Sequence, residues 1–275
     1  MRTALSPLSL LRPRTLRDAL AMLRDEGPLT PLAGCTDLYV GLQFGTLPDR
    51  RFIDLWPLPE LRGIADQRDT LRIGAMTTYT DLIQSGLVCR RVPMLVAASR
   101  EVGGRQIQNR GTLGGNVANA SPAGDTLPVL SVADATIVLS SANGERRVGF
   151  NSFYTGYRAS VRQPDEIIVA IEVPRVDGRQ YWRKVGTRRA QAISKVMCAA
   201  VRGPEVRVAL GSVGPTVIRL RRTERVLSAG SPLSQAQAVM RGEIQPIDDL
   251  RSTADYRREV SLNLLADFWH VTGKK

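Results

Sequence analysis

Two glycine-bearing stretches hold the residues best suited to chemistry in this chain. Leu32-Ala33-Gly34-Cys35-Thr36-Asp37 follows a short apolar run. Gly111-Thr112-Leu113-Gly114-Gly115-Asn116 lies within a stretch from 107 to 125 that is rich in Gly, Asn, Ser and Thr and has neither a helical nor a strand period. Glycine lets the backbone approach a ligand and take φ > 0, so such segments can turn bare N–H groups toward an anion. The pair is read as two halves of a phosphate cradle. Neither stretch matches G-x-G-x-x-G and the chain has no P-loop lysine, so a Rossmann or P-loop reading is weak. By themselves Gly114-Gly115 are equally a tight turn, and Asp37 and Asp125 are equally helix N-caps; both acids are expected to cap helices and also to face the ligand.

Other chemistries lack the residues they need. His270 is the single histidine, and Cys35, Cys89 and Cys198 are widely separated with no C-x-x-C. Structural zinc and iron–sulfur sites ordinarily take four Cys or His ligands, often in close pairs. Ser-His-Asp triads are disfavoured for the same reason. Redox chemistry here needs an organic cofactor or one carried by another chain.

The elements that must position the two stretches follow from hydrophobic period and punctuation. A helix is expected over 15–26, capped by Thr15 with Asp18 three positions on and an apolar face of Leu16, Ala19, Leu20 and Leu23. A strand over 29–33 runs into the Gly34 turn, and a helix over about 38–44 leaves it, so free N–H groups should point into that turn. Strands are expected at 51–55 and 71–75, and helices at 78–85 and 93–102. The stretch 107–125 is then left as a long loop. Asp125 caps a helix to 133, strands follow at 136–139 and 147–150 around an Asn143-Gly144 turn, and a strand at 166–173 stops at Pro174. Residues 174–180 read as a linker. Beyond it, strands at 181–185, 195–201 and 206–213 suggest a small antiparallel sheet, with helices at about 224–229, 233–241 and 253–271. Tyr256, Val260, Leu264 and Phe268 in the last helix are expected to pack in a core.

The chain has 275 residues, 43% hydrophobic and 23% charged, ordinary values for a globular protein of about two domains. The formal charge of +12 raises the question of nucleic acid, but Arg is spread along the chain and aromatics are 5%. No nucleic-acid partner is expected. Doublets such as Arg146-Arg147, Arg188-Arg189 and Arg221-Arg222 read as solvated surface, with anionic cofactors or acidic partner subunits as the alternative. No apolar run approaches the roughly 20 residues that cross a bilayer, and no secretory h-region opens the chain. A cytoplasmic location without membrane attachment is expected, and the sequon Asn119-Ala120-Ser121 is set aside.

Taken together, these motifs resemble the FAD-binding subunits of the molybdenum hydroxylases, the family of bacterial xanthine dehydrogenases and carbon monoxide dehydrogenases. Residues 32–38 look like the family's first FAD loop, and Ile73-Gly74-Ala75 like its following strand. Residues 106–125 look like its second FAD loop with an A-x-P-x-x-D tail. Pro164-Asp165-Glu166-Ile167-Ile168 and Glu172-Val173-Pro174 resemble the end of the flavin domain. Lys184-Val185-Gly186-Thr187-Arg188 and Ala192-Ile193-Ser194-Lys195-Val196 resemble the start of the C-terminal domain, and Asp255-Tyr256-Arg257 its terminal helix.

The resemblance implies an α+β fold: a two-subdomain FAD-binding domain of the vanillyl-alcohol-oxidase/PCMH type over 1–176, with subdomains of about 1–56 and 57–176, then a small α+β domain over 177–275. It implies an FAD held extended with both loops on its diphosphate. Leu32, Ala33, Gly34, Cys35, Thr36, Asp37 and Leu38 would line one side, and Gly111, Thr112, Gly114, Gly115, Asn116 and Asn119 the other. Asp125 would bond the ribityl or ribose region, with Ile168 and Lys184 near the cofactor, although Lys184 is alternatively a surface residue. Val102 matches a position that some relatives fill with an aromatic, which puts ring stacking there in doubt. Cys35 departs from the glycine usual at its position, so either the turn avoids φ > 0 or cofactor binding compensates; a redox role for a thiol with no nearby second cysteine is disfavoured.

Under this resemblance the chain is an electron-transfer subunit, closer to the xanthine dehydrogenase branch. It would receive electrons from partner iron–sulfur and molybdenum cofactor subunits and pass them to NAD or another acceptor. The alternatives are a carbon monoxide or aldehyde dehydrogenase subunit, a scaffold that has lost FAD, or a free-standing oxidase, the last discouraged by the short chain.

Overall fold

The computed structural model describes residues 8–273. The chain opens with β1 (Ser9–Leu11), α1 (Leu16–Glu26), β2 (Thr30–Leu32), α2 (Leu38–Phe44) and β3 (Arg51–Asp54). α1 is built as its sequence requires. Thr15 and Asp18 form a reciprocal capping box, and Ala19, Leu20 and Leu23 are buried. The three strands form a parallel sheet in the order β1-β3-β2.

A second layer follows: β4 (Ile64–Gln67), β5 (Thr70–Gly74), α3 (Tyr79–Gln84), α4 (Gly86–Arg91), α5 (Pro93–Arg100), α6 (Arg105–Gln108), α7 (Leu113–Asn119), α8 (Leu127–Val132), β6 (Thr136–Ser141), β7 (Gly144–Gly149), the short pair β8 (Tyr154–Gly156) and β9 (Ala159–Ser160), and β10 (Ile167–Pro174). β4-β5-β10-β6-β7 is an antiparallel sheet with β10 at its centre. Five consecutive residues, Ile167 to Ile171, are buried because this strand is covered on both faces. One face packs with α1 and the first sheet through Val138, Ile167 and Val169; the other packs with the helices α3 to α8 through Leu71, Ile73 and Ile171.

β11 (Arg179–Gly186), β12 (Ser194–Arg202), β13 (Val206–Gly211) and β14 (Ile218–Arg219) form the last sheet, followed by α9 (Arg221–Ser228), α10 (Leu233–Arg241) and α11 (Ala254–Gly273). Alternation along β12 splits the strand between two cores. Ala199 and Val201 join the core of the central helices, while Val196, Cys198 and Ala200 join that of α9 to α11. The fold is thus α+β, an N-terminal part with two larger sheets and the short β8-β9 pair, followed by a C-terminal antiparallel sheet with helices. Arg219, buried on β14, fastens the two parts: it pairs with Glu224 and donates to Ser131 O at 2.8 Å and Asp134 Oδ1 at 2.9 Å.

Several expectations are corrected. The stretch 107–125 is not one loop, since it contains the end of α6 and all of α7. Glycine hides a helix from propensity, but Leu113 and Val117, one turn apart, are both fully buried and hold α7 against the sheet. α8 starts after Thr126, so Asp125 is not its cap. The strand at 64–67, the helix at 86–91 and the short β14 were not anticipated. The segment 174–180 is no free linker: Pro174 ends β10, Val176 is buried, and Arg175 N bonds Asp69 O. In α11, Leu264 and Phe268 are core, Tyr256 is exposed, and Arg257 and Leu265 are buried instead.

Arg219→Ala is expected to lower unfolding free energy by about 3 kcal/mol, because it leaves the buried Glu224 with only the Val208 amide and a distant Arg221. A urea midpoint within error of wild type would show that the pair contributes nothing.

Candidate functional site

The first loop leaves β2 at Leu32 and enters α2 at Leu38. Between them the backbone takes a left-handed step at Cys35, with φ of 63°. The turn therefore does not avoid the positive region, and a non-glycine residue there costs about 1–2 kcal/mol. None of the five consecutive amides from Gly34 to Leu38 has an acceptor among the described residues. Buried or half-buried amides are otherwise almost always paired. A left-handed residue within a run of free N–H groups forms the concave arrangement that accepts anions.

The second loop is arranged differently from the expectation. Gly111 N bonds Ile107 O, Leu113 N bonds Thr77 O, Gly114 N bonds Ala75 O, Gly115 N bonds the Thr112 hydroxyl and Asn116 N bonds Thr112 O. These amides are engaged within the protein and are not bare. The glycine at 114 serves packing: a Cβ there would stand 2.6 Å from the Ala75 Cβ and 2.7 Å from its carbonyl oxygen.

The two loops meet at Gly34. A Cβ on that residue would lie 1.7 Å from Arg110 O, so the backbones touch and no side chain fits between them. Ala33 flanks Gly115 on the same seam. Farther along, Arg158 donates to Asn119 Oδ1 at 2.9 Å and stands 3.8 Å from Asp37, joining one residue of each half. Asp37 occupies the N-cap of α2 but makes no side-chain cap bond. Asn116 Oδ1 accepts from the Thr126 hydroxyl at 2.6 Å.

Asp125 and Lys184 form the buried centre. Lys184 Nζ donates to Asp125 Oδ2 and to Glu101 O, both at 3.0 Å, and the two side chains are 6% and 10% exposed. Lys184 is therefore not a surface residue. Asp125 Oδ1 is buried without a hydrogen-bond partner, as is the indole N–H of Trp182 on β11. Burial raises the Asp125 carboxyl to about 6, against the opposing pull of Lys184. Beside Lys184 opens a cavity of about 400 Å3, lined by Glu101, Trp182, Arg188 and Arg189 among others.

The remaining predicted residues are in supporting positions. Ile168 is buried in β10, and Val102 is half-buried beyond α5, packed against the central core. Burial pushes the Cys35 thiol above its usual range, against the pull of Arg110; a thiol kept protonated is a poor nucleophile. Among the described residues no group of three or more His, Cys, Asp or Glu could hold a metal ion, and no helix is long and apolar enough to cross a membrane. Sequence reasoning passed over Arg110, Trp56, Arg158 and Trp182. Only Arg110 carried a signal, its place directly before Gly111.

Two outcomes are expected. Cys35→Gly should stabilise the chain by about 1 kcal/mol, the strain removed from the left-handed position; unchanged thermal stability would show that the turn is unstrained. Lys184→Met should destabilise at pH 7 by about 3–5 kcal/mol, since it leaves a buried carboxylate alone. With the folded Asp125 raised to about 6, the native state holds its proton between about pH 4 and 6. Wild-type stability from this group is therefore lost as pH rises through that window. Without Lys184 the carboxyl takes up its proton at higher pH still, so the Lys184→Met deficit should shrink as pH falls from above about 7 toward 6, and a pH-independent deficit in denaturant titrations would refute the assignment.

Comparison with known proteins identifies the family. A model described as the FAD binding domain in molybdopterin dehydrogenase matches residues 6–176, and one for the CO dehydrogenase flavoprotein C-terminal domain matches residues 181–272. The xanthine dehydrogenase FAD-binding subunit of Escherichia coli O157:H7 is 34% identical over 92% of this chain and 90% of its own length. The glyceraldehyde dehydrogenase medium chain of Sulfolobus acidocaldarius is 33% identical over 92% and 93%. A solved carbon monoxide dehydrogenase chain from Hydrogenophaga pseudoflava, in a form lacking the Mo-pyranopterin moiety of its cofactor, superposes with a TM-score of 0.91 at 29% identity over 97% of this chain and 96% of that one. With family models covering both of its parts, the chain belongs to the family of FAD-binding flavoprotein subunits of the molybdopterin dehydrogenases.

Proposed function

We propose that this chain holds FAD extended between residues 34–38 and 111–116, as the electron-transfer flavoprotein subunit of a molybdenum hydroxylase. The observation that carries this reading is the run of unpartnered amides from Gly34 to Leu38, which a diphosphate would satisfy. The unpaired Asp125 Oδ1 fits the other part of the cofactor, because a ribityl hydroxyl donates what that oxygen lacks. Gly34 keeps the two loops in contact, and Gly114 lets α7 lie against the Ala75 backbone, so the second half contributes shape more than donors. Thr112, Gly115, Asn116 and Asn119 line that half.

When bound, FAD supplies an electron store that exchanges one or two electrons at a time. The protein's own tasks are to bind, orient and screen it. Lys184 places a positive charge at the inner end of the site and fixes the Asp125 carboxylate through Oδ2, which leaves Oδ1 directed elsewhere. The cavity beside Lys184 is the opening we assign to electron exchange, with Arg188 and Arg189 on its lining. No residue of this chain is required as a general acid or base.

Within the family, the reading is of a xanthine dehydrogenase-like subunit that works with iron–sulfur and molybdenum cofactor subunits. Its support is local: Gly186-Thr187-Arg188 and the run 190–195, a turn and strand start beside the cavity. Carbon monoxide or aldehyde dehydrogenase chemistry is the second reading, favoured by the structural match to the Hydrogenophaga chain and the identity to the Sulfolobus chain.

Purification of the chain with its native partners tests both levels. Flavin absorbance and mass spectrometry should give FAD together with an iron–sulfur and a molybdenum subunit. A colourless chain that takes up no FAD on reconstitution would sink the proposal. Turnover with xanthine, aldehydes or carbon monoxide separates the substrate readings, and reoxidation by NAD+ tests the acceptor. FAD affinity should tighten as pH rises through about 6, because the ionised Asp125 is the better acceptor. Gly114→Val should abolish FAD retention, and retention at wild-type affinity would count against the cradle.

A further inference from the structure

Arg110 stands at the seam of the two loops without a partner for its charge. Its carbonyl is the atom against which Gly34 packs, and its guanidinium lies 3.6 Å from the centroid of the Trp56 ring. Among the described residues no hydrogen bond or ion pair engages that guanidinium. Its field reaches the Cys35 thiol, which places the charge on the side of the first loop. Trp56 is a fixed platform. Its N–H donates to Asp54 Oδ1 at 3.0 Å, its carbonyl accepts from Arg62 Nη2 at 2.8 Å, and Arg62 is itself held by Met76 O. Stacking on an indole face orients a guanidinium without neutralising it, and all five donors stay available.

The surroundings suit such a cation. Free amides offer dipoles, but the first loop and its neighbours carry Asp37 and Asp54. Arg158 is already committed to Asn119 and approaches Asp37. A diphosphate would bring further negative charge to this loop. Arg62 also lies over the Trp56 ring, at 4.4 Å, but its donors are spent on the carbonyls of Trp56 and Met76, so Arg110 is the cation at the seam whose donors stay uncommitted.

We propose that Arg110, braced on Trp56, is the counter-charge for the diphosphate of the bound dinucleotide. The proposal rests on the reading that FAD lies on residues 34–38. It assigns Arg110 as a binding residue and Trp56 as the residue that positions it. The alternative is a mechanical role, in which the stack merely staples the second loop to the end of β3.

The full-length chain, freed of flavin, separates the two. FAD and riboflavin, which lacks phosphate, are titrated by flavin fluorescence at low and high salt. Arg110→Gln should weaken FAD roughly tenfold at low ionic strength and little at about 1 M salt, where the screening length falls to about 3 Å. Riboflavin affinity should not change, and Arg110→Lys should keep most of the FAD affinity. Trp56→Leu should fall between wild type and Arg110→Gln, because the charge remains but is no longer held. Equal losses for FAD and riboflavin, or an unchanged FAD affinity in Arg110→Gln at low salt, would overturn the counter-charge. Failure of the wild-type chain to take up FAD would instead remove the reading beneath it, and this proposal with it.

Discussion

The buried ion pair between Lys184 and Asp125 is the constraint around which the molecule is assembled. Two charges removed from water are tolerated only where geometry and extra hydrogen bonds compensate for desolvation. Lys184 achieves this with two acceptors, Asp125 Oδ2 and Glu101 O, which lie on segments far apart in sequence. The pair therefore fixes β11 against the end of α5 and the turn after α7 together. Arg219 and Glu224 make a second such junction through Ser131 and Asp134. Both junctions lie where the first part of the chain meets the last sheet. The hydrophobic cores on either side are non-directional, so these polar contacts, with those of Gln180 to Arg91 and Ser212 to Pro122, are what give the seam a single register.

Much of the fold was legible because it is locally encoded. Thr15 with Asp18, and Thr78 with Asp81, form complete capping boxes, and the helices they begin lie where the sequence puts them. The apolar run of β12 and the Asn143-Gly144 turn were equally plain. What stayed hidden depends on partners distant in sequence. α7 has too few apolar residues to show a period, and it becomes a helix because Leu113 and Val117 find the core. The amides of Leu113 and Gly114 are taken by Thr77 and Ala75, residues no local rule connects with them. Asp125 reads as a cap from its neighbours, and only the arrival of Lys184, 59 positions later, reveals its use.

The charge excess follows the same logic. A net charge of +12 suggested a surface phenomenon, yet many arginines are structural. Arg72 and Arg147 share Glu172 across neighbouring strands, and Arg146 holds Glu166. Arg202 and Arg179 donate to the carbonyls of Trp269 and Thr272, the last turn of α11, where cations offset exposed carbonyl dipoles. Exposure alone therefore misjudges the doublets read as solvated, since Arg146 and Arg147 are surface residues with fixed partners.

Positions 34 and 35 sit side by side but differ in how they tolerate change. A side chain at 34 would collide with the Arg110 carbonyl, a backbone atom held by the rest of its loop, so the obstacle is steric and absolute. At 35 the obstacle is conformational, a modest energy that any well-packed fold can absorb. Sequence drift is thus closed at the first position and open at the second. The cysteine in place of glycine is a substitution the site can carry without rearrangement, and variation among related chains should concentrate at 35 and spare 34.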